Sequence, residues 1–124
     1  MTNEFEVLQN MFEGFSVNVN FLTWAVAAGI ILDFATGIAK GYRADGRISS
    51  SKLRNGMFKK SGIILVVIMS YGLSLLFNDS MHVIFNGVQA YYIYTELISV
   101  IENLVELGIP VPNILRRILG EKRE

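Results

Sequence analysis

The feature that most constrains this chain is an apolar segment of 17 residues, Ser61 to Phe77, which carries no charge. It follows directly after Lys59 and Lys60, and the next charged residue beyond it is Asp79. A helix that crosses the hydrocarbon core of a bilayer needs about 17–25 mostly apolar residues. The segment therefore predicts a membrane-spanning helix with charged residues at both of its ends.

Two further segments are long enough to span a bilayer. The first covers residues 17–39 and overlaps a run of 19 uncharged residues, Gly14 to Leu32. The third, residues 81–104, is weaker because polar and acidic residues interrupt it. A core helix of a soluble protein is the alternative for any one segment. Three such segments in 124 residues, with 52% hydrophobic and 18% charged residues, leave little polar surface to cover them. We therefore predict a single all-α membrane domain over residues 1–124 with three transmembrane helices.

The charges occur in blocks that predict the orientation of these helices. Residues 40–60 carry seven basic residues and one acidic residue, and the tail 108–124 is also basic. Short loops rich in Lys and Arg stay on the cytoplasmic side of a membrane. The sequence thus predicts an outside N-terminus, a cytoplasmic basic loop at 40–60 and a cytoplasmic C-terminal tail.

Short amphipathic helices are expected outside the three spans. Apolar residues recur at helical spacing between Phe5 and Phe15, which favours a helix at the membrane interface, although a poorly ordered terminus fits equally well. Ser51 could cap a second short helix within the basic loop. Ile114, Leu115, Ile118 and Leu119 predict a third in the tail.

The basic loop offers a cluster of cations at the predicted membrane edge. Such a cluster could bind nucleic acid, but beside a membrane the phosphates of lipid are the simpler partner, and we expect no nucleic-acid partner. The candidate lipid-phosphate ligands are Arg43, Arg47, Lys52, Arg54, Lys59 and Lys60.

The first predicted span carries mostly small residues at every fourth position. Small residues at this spacing let helix backbones approach closely in lipid, where no hydrophobic force drives helices together. The expected helix-packing residues, in a homo-oligomer or within one chain, are Ala25, Gly29, Asp33, Gly37 and Gly41. Asp33 is costly at this depth and needs a packed or hydrated partner.

Polar residues of the third predicted span recur at a step of seven, which keeps them on one face of a helix. Two interpretations remain open for this face. It is either a buried polar contact between packed helices or the water-exposed lining of an assembled pore. The pore-lining candidates are His82, Asn86, Gln89, Glu96 and Asn103. Glu96 and Asp33 are expected at similar depth, where Lys40, Lys59 or Lys60 could reach them.

Nothing in the sequence predicts catalysis. There is no cysteine and only one histidine, which leaves little for a metal site, a cysteine nucleophile or a His-dependent triad. The acidic residues are accompanied by no nucleophile and no phosphate-binding loop. We expect no enzyme activity, no metal and no cofactor.

Five short motifs, in this order and spacing, resemble the toxin-secretion and phage-lysis holins of Gram-positive bacteria and their phages. They are Asp33–Gly37, Ile48–Ser51, Gly56 with Lys60, Glu96–Asn103 and Gly108–Pro112, within a similarity from Phe21 to Leu119. The resemblance implies a multi-pass protein of the bacterial cytoplasmic membrane that oligomerises and opens lesions. Through these lesions an endolysin would reach the cell wall, and an antiholin is a possible regulatory partner.

Other functions remain compatible with the sequence. A prophage-derived relative could export a large protein toxin without prompt lysis. A small ion channel would pass ions and exclude proteins, and an antiholin-like regulator would bind a family member and open no lesion.

Overall fold

The computed structural model describes residues 3–18, 20–79 and 82–118, and these residues form helices joined by short segments. The helices are α1 (Glu4–Asn18), α2 (Phe21–Asp45), α3 (Ser50–Leu76), α4 (Val83–Glu106) and α5 (Asn113–Ile118). No strand occurs in the described part of the chain, so the predicted all-α fold is confirmed.

The helix α2 begins and ends later than the first predicted span, 17–39. Asn20 begins α2 with a capping box, in which its side chain accepts a hydrogen bond from Thr23 N at 3.2 Å. The helix then continues six residues beyond the predicted end and stops at Gly46, whose φ of +71° suits glycine. Lys40 and Arg43 therefore belong to α2 and not to the predicted basic loop.

Within the predicted basic loop 40–60, only the four residues 46–49 lie outside a helix. Ser49 caps α3 by accepting a hydrogen bond from Lys52 N at 3.4 Å, and α3 continues without interruption to Leu76. The short amphipathic helix predicted inside the loop is thus the first part of α3. No proline separates the basic residues from the apolar ones, so one helix holds both.

The two terminal helices occur where amphipathic patterns predicted them. α1 ends at Asn18, and its Phe5 side chain is largely exposed. α5 begins at Asn113, after the predicted Pro110–Pro112 break, and carries Arg116 and Arg117. Leu119, predicted as part of this helix, and Met81, the predicted start of the third span, lie outside the described residues.

α2 and α4 lie side by side and run in the same direction, whereas α3 runs opposite to both. Asn20 at the start of α2 bonds to Asn86 near the start of α4, and Lys40 near the end of α2 pairs with Glu106 at the end of α4. α4 also packs against α3, while α2 and α3 touch at few positions. α4 is therefore the central helix of the three.

A small apolar core joins the three long helices. Val26 of α2, Val67 and Tyr71 of α3 and Phe85 of α4 are buried together. Outside this core, many large apolar side chains point away from the protein, as the 72% exposure of Leu76 illustrates. Such surfaces are costly in water and favourable in lipid.

Among the described residues, two helices are long and apolar enough to cross a membrane by length and composition. They are α2 and α3. α4, which contains most of the third predicted span, is not among these candidates. The polar residues on one of its faces lower its hydropathy.

One carboxylate connects the end of α3 to the start of α4. Asp79 Oδ2 accepts hydrogen bonds from Ile84 N at 2.8 Å and from Ser74 Oγ at 3.3 Å. Ser74 Oγ in turn accepts from the buried Phe85 N at 3.1 Å. The hydrogen bond from the Ile84 backbone is the main reason that the pKa of Asp79 lies below its ordinary value.

This carboxylate predicts a pH-dependent contribution to stability. Because the folded-state pKa is lowered, the contribution is present above the unfolded pKa of about 3.9 and is lost as the pH falls through the folded value. In detergent micelles, Asp79→Asn should lower the thermal unfolding midpoint at about pH 6 and bring it closer to the parent at about pH 3. Glu102→Gln, at an exposed position of α4, is the control. An equal gap between parent and Asp79→Asn at both pH values would contradict this role.

Candidate functional site

A seam of polar side chains runs along the contact between α2 and α4. At its first end, Asn20 Nδ2 donates a hydrogen bond to Asn86 Oδ1 at 3.1 Å. One turn further, Thr23 Oγ1 donates to Gln89 Oε1 at 2.5 Å, and Gln89 is fully buried. Because apolar helices surround it, each polar group in the seam depends on a partner from the facing helix.

At the middle of the seam, one lysine of α3 binds an acid from each of the other two long helices. Lys60 Nζ lies 2.5 Å from Asp33 Oδ2 of α2 and 2.7 Å from Glu96 Oε2 of α4. The side chains of Lys60, Asp33 and Glu96 are only 17%, 12% and 6% exposed. We call these three residues the ion triad; with both acids ionised, it carries a net charge of −1.

The second oxygen of Asp33 is held by two neutral donors from α4. Ser99 Oγ donates to Asp33 Oδ1 at 2.5 Å, and Asn103 Nδ2 donates to the same atom at 3.0 Å. Asn103 Nδ2 also lies 2.9 Å from Thr36 Oγ1. Asp33 therefore has a complete set of partners for an ionised carboxylate inside the protein.

The far end of the seam closes with charged residues at the ends of both helices. Lys40 Nζ lies 3.2 Å from Glu106 Oε2, and both side chains are well exposed. Arg43 donates a hydrogen bond to the backbone carbonyl of Leu107, beside Gly108, whose φ is +83°. These contacts fix the end of α4 against the end of α2.

The stripe of small residues on α2 faces α4 over part of its length. Gly29 is buried, and a Cβ added there would lie 3.1 Å from Glu96 Cβ. At Gly37 the nearest atom is Asn103 Nδ2 at 3.8 Å, and Gly41 has open space. Ala25 is partly buried. The absence of a side chain at Gly29 thus lets α2 and α4 approach where the ion triad forms.

The heptad face of α4 is turned inward within one chain. Gln89, Glu96 and Asn103 are buried, and His82 and Asn86 are partly buried. His82 stacks on Tyr71, with ring centroids 5.8 Å apart. Gln89 Nε2 is buried and has no hydrogen-bond partner among the described residues. The seam therefore leaves one strong donor unsatisfied.

Three of the predicted lipid-phosphate ligands have partners in the protein. Lys60 belongs to the ion triad, Lys52 pairs with Asp45 at 3.3 Å, and Arg43 binds the Leu107 carbonyl. The side chains of the remaining candidates are exposed and form no hydrogen bond or ion pair within the described ranges. These are Arg47, Arg54 and Lys59.

Sequence reasoning missed the partners that α2 supplies to the seam, chiefly Asn20 and Thr23. The sequence does contain a pattern that could have revealed these partners, because hydrogen-bonded pairs across the seam are separated by the same number of residues. The pairs Asn20–Asn86, Thr23–Gln89 and Asp33–Ser99 are each 66 residues apart. A constant offset between polar residues is the pattern of two parallel helices in register. Across the described residues, no three His, Asp or Glu side chains are grouped to hold a metal ion.

The comparison with known families decides what kind of protein carries this arrangement. The sequence model of the bacteriophage holin family matches residues 10–123, nearly the whole chain. The chain belongs to the bacteriophage holin family. The match includes the ion triad, the polar seam and the basic hairpin between α2 and α3.

Similar curated proteins include uncharacterized proteins of Clostridium and Listeria. One from Clostridium perfringens strain 13 is 34% identical over 92 residues, which cover 74% of this chain and 67% of the relative. A 14.9 kDa protein of the same species is 33% identical over 92 residues, with 74% and 69% covered. A Listeria monocytogenes protein is 29% identical over 102 residues, with 82% and 71% covered. No solved structure matches the chain.

The ion triad predicts a large effect of removing its shared cation. Lys60→Met should lower the free energy of unfolding by about 3–5 kcal/mol, because it leaves two buried acids without their counter-ion. Lys40→Met removes an exposed ion pair and should cost about 0–1 kcal/mol. Unfolding of both variants by dodecyl sulfate in mixed micelles, followed by circular dichroism, measures the difference. Equal losses for the two variants would show that the triad contributes no more than a surface pair.

Proposed function

We propose that this holin oligomerises in the bacterial cytoplasmic membrane and opens lesions that release an endolysin. The observation that carries the proposal is the family match over residues 10–123. The polar seam between α2 and α4 supplies a physical basis for two states. A single chain hides polar groups inside, and an assembly could expose the same groups to water.

The seam contains groups that would gain from hydration. Gln89 Nε2 lacks a partner among the described residues, and the ion triad holds two acids for one base. A buried donor without a partner costs about 1–3 kcal/mol, and a net charge in a low-dielectric interior is also unfavourable. In the proposed assembly, Gln89, Glu96 and Asn103 line water. The small residues of α2 then contact a neighbouring copy in place of their own α4.

The proposal includes three spans, with the N-terminus outside and the C-terminus inside. α2 and α3 are the two helices apolar enough to span a membrane. α4 is joined to α2 by a hydrogen bond near its start and by an ion pair at its end. A helix that accompanies a spanning helix over its whole length crosses the same thickness of membrane. The basic residues around 46–49 favour the cytoplasmic side for the α2–α3 hairpin.

Accessibility to a membrane-impermeant thiol reagent tests this topology. The natural chain has no cysteine, so a single cysteine reports one position. We expect Asn78→Cys, in the turn after α3, to react in intact cells and Ser50→Cys to react only after permeabilisation. Labelling of Ser50→Cys in intact cells would contradict the proposed orientation.

Release of a cytosolic reporter enzyme tests the function itself. Glu96→Leu keeps the Asp33–Lys60 pair, removes the excess negative charge and makes the face of α4 less polar. We therefore expect normal accumulation in the membrane and at least about a tenfold loss of enzyme release, which corresponds to roughly 1.4 kcal/mol against the open state. Glu96→Gln, which keeps a polar side chain, should lose less.

Glu102→Leu is the matched control, because Glu102 is exposed on the same helix and lies off the heptad face. It should release enzyme like the parent. Abolished release with Glu102→Leu and normal release with Glu96→Leu would contradict the proposed lining. Dye entry without enzyme release by the parent would instead favour a small ion channel.

A further inference from the structure

A cavity of about 420 Å³ lies between α2 and α3, next to the segment 46–49 that joins them. The two helices approach closely at Phe34 and Gly56, where an added Cβ would lie 3.2 Å from the Phe34 ring. Ser99 and Asn103 of α4 also line the cavity. Its volume falls within the range of small-molecule sites, about 300–1,000 Å³.

The lining of this cavity combines an apolar part with small residues that keep it open. Phe34 and Ile38 of α2 and Leu53 of α3 supply large apolar side chains. Gly37 and Gly41 line it from α2, and a Cβ at Gly41 would meet nothing within 4 Å. An apolar chain therefore has both space and contacts between the two helices.

Five basic residues also line the cavity, and three of them already form ion pairs with acids of the protein. Lys60 binds the two acids of the ion triad, Lys40 pairs with Glu106, and Lys52 pairs with Asp45. The other two, Arg47 and Lys59, are exposed and have no hydrogen-bond or ion-pair partner in the described part of the chain. The cavity thus has two cations available for an anion.

The direction of helix side chains brings these two cations toward each other. Lys59 follows the first residue of α3 by nine positions, or about 14 Å along the axis. Helical side chains lean toward the N-terminus of their helix, so Lys59 extends toward the end of α3 where Arg47 lies. An extended lysine side chain covers less than half of this distance while its stem stays on apolar surface, and the Arg47 side chain together with a bound phosphate can span the rest.

We propose that this cavity binds one anionic phospholipid. Its phosphate lies between Arg47 and Lys59, and one acyl chain packs along Phe34, Ile38 and Leu53. A small soluble anion would leave the apolar lining uncovered, whereas a zwitterionic lipid brings an ammonium group close to the same two cations. The inference rests on the proposed crossing of the membrane by α2 and α3.

Photo-crosslinking of the full chain in lipid vesicles tests this site. The probe is phosphatidylglycerol with a diazirine on one acyl chain, present at low density in phosphatidylcholine vesicles. We expect mass spectrometry to place the label on the peptides that contain Ile38 and Leu53. Unlabelled phosphatidylglycerol should compete for this site, and additional phosphatidylcholine should not.

Two pairs of variants distinguish lipid binding in the cavity from nonspecific attraction of lipid to a basic surface. Arg47→Gln should lower the labelling about tenfold, the typical effect of losing one hydrogen bond to a charged group. Arg117→Gln, which alters an exposed cation of α5 outside the cavity lining, should leave it unchanged. Gly41→Leu fills the cavity and should also lower the labelling. Gly62→Leu, where a Cβ likewise meets nothing within 4 Å, should not.

Labelling that is equal for Arg47→Gln and Arg117→Gln, or that phosphatidylcholine displaces equally well, would overturn the lipid site. Resistance to carbonate extraction and reporter release by the parent are scored separately. An integrated protein that takes up no label contradicts the lipid site alone. A labelled protein that releases no enzyme contradicts the proposed function and leaves the lipid site standing.

Discussion

The structure depends on one lysine that two acids share. Lys60 of α3 lies between Asp33 of α2 and Glu96 of α4, so a single ammonium group connects the three long helices. Apolar contacts alone are a poor guide to helix arrangement in lipid, since lipid tails are as apolar as the side chains. A buried ion pair requires its partners at one depth and on facing sides. The ion triad therefore fixes which faces of α2, α3 and α4 meet.

The parallel seam between α2 and α4 extends this constraint along both helices. Its pairs share an offset of 66 residues, and Gly29 permits the close approach beside Glu96. Buried polar groups are worth keeping in such a contact only when each has a partner. Gln89 Nε2, which has no partner among the described residues, and the excess acid of the triad are exceptions to this rule. They make the seam the part of the fold that would gain most from contact with water.

The five basic residues that line the cavity between α2 and α3 divide into two groups. Lys40, Lys52 and Lys60 form ion pairs with acids of the protein, and only the pairs of Lys60 are buried. Arg47 and Lys59 line the cavity between the helices and keep their charges. Net charge along the sequence could not separate these groups, because an ion pair depends on the position of the partner and not on the count of basic residues.

The sequence by itself determined the elements and their character. Uninterrupted apolar runs predict long helices, and the seven-residue step from Gln89 to Asn103 predicts one polar face on α4. The ends of α2 depend on hydrogen bonds that hydropathy does not detect, because the Asn20 side chain accepts from Thr23 N and Gly46 N donates to Tyr42 O. The tertiary structure alone decided that Lys60 is the shared cation, that the polar face of α4 meets α2, and that α2 and α3 enclose a cavity. These outcomes depend on the relative rotation and register of three helices, which local patterns leave free and side-chain contacts across helices decide.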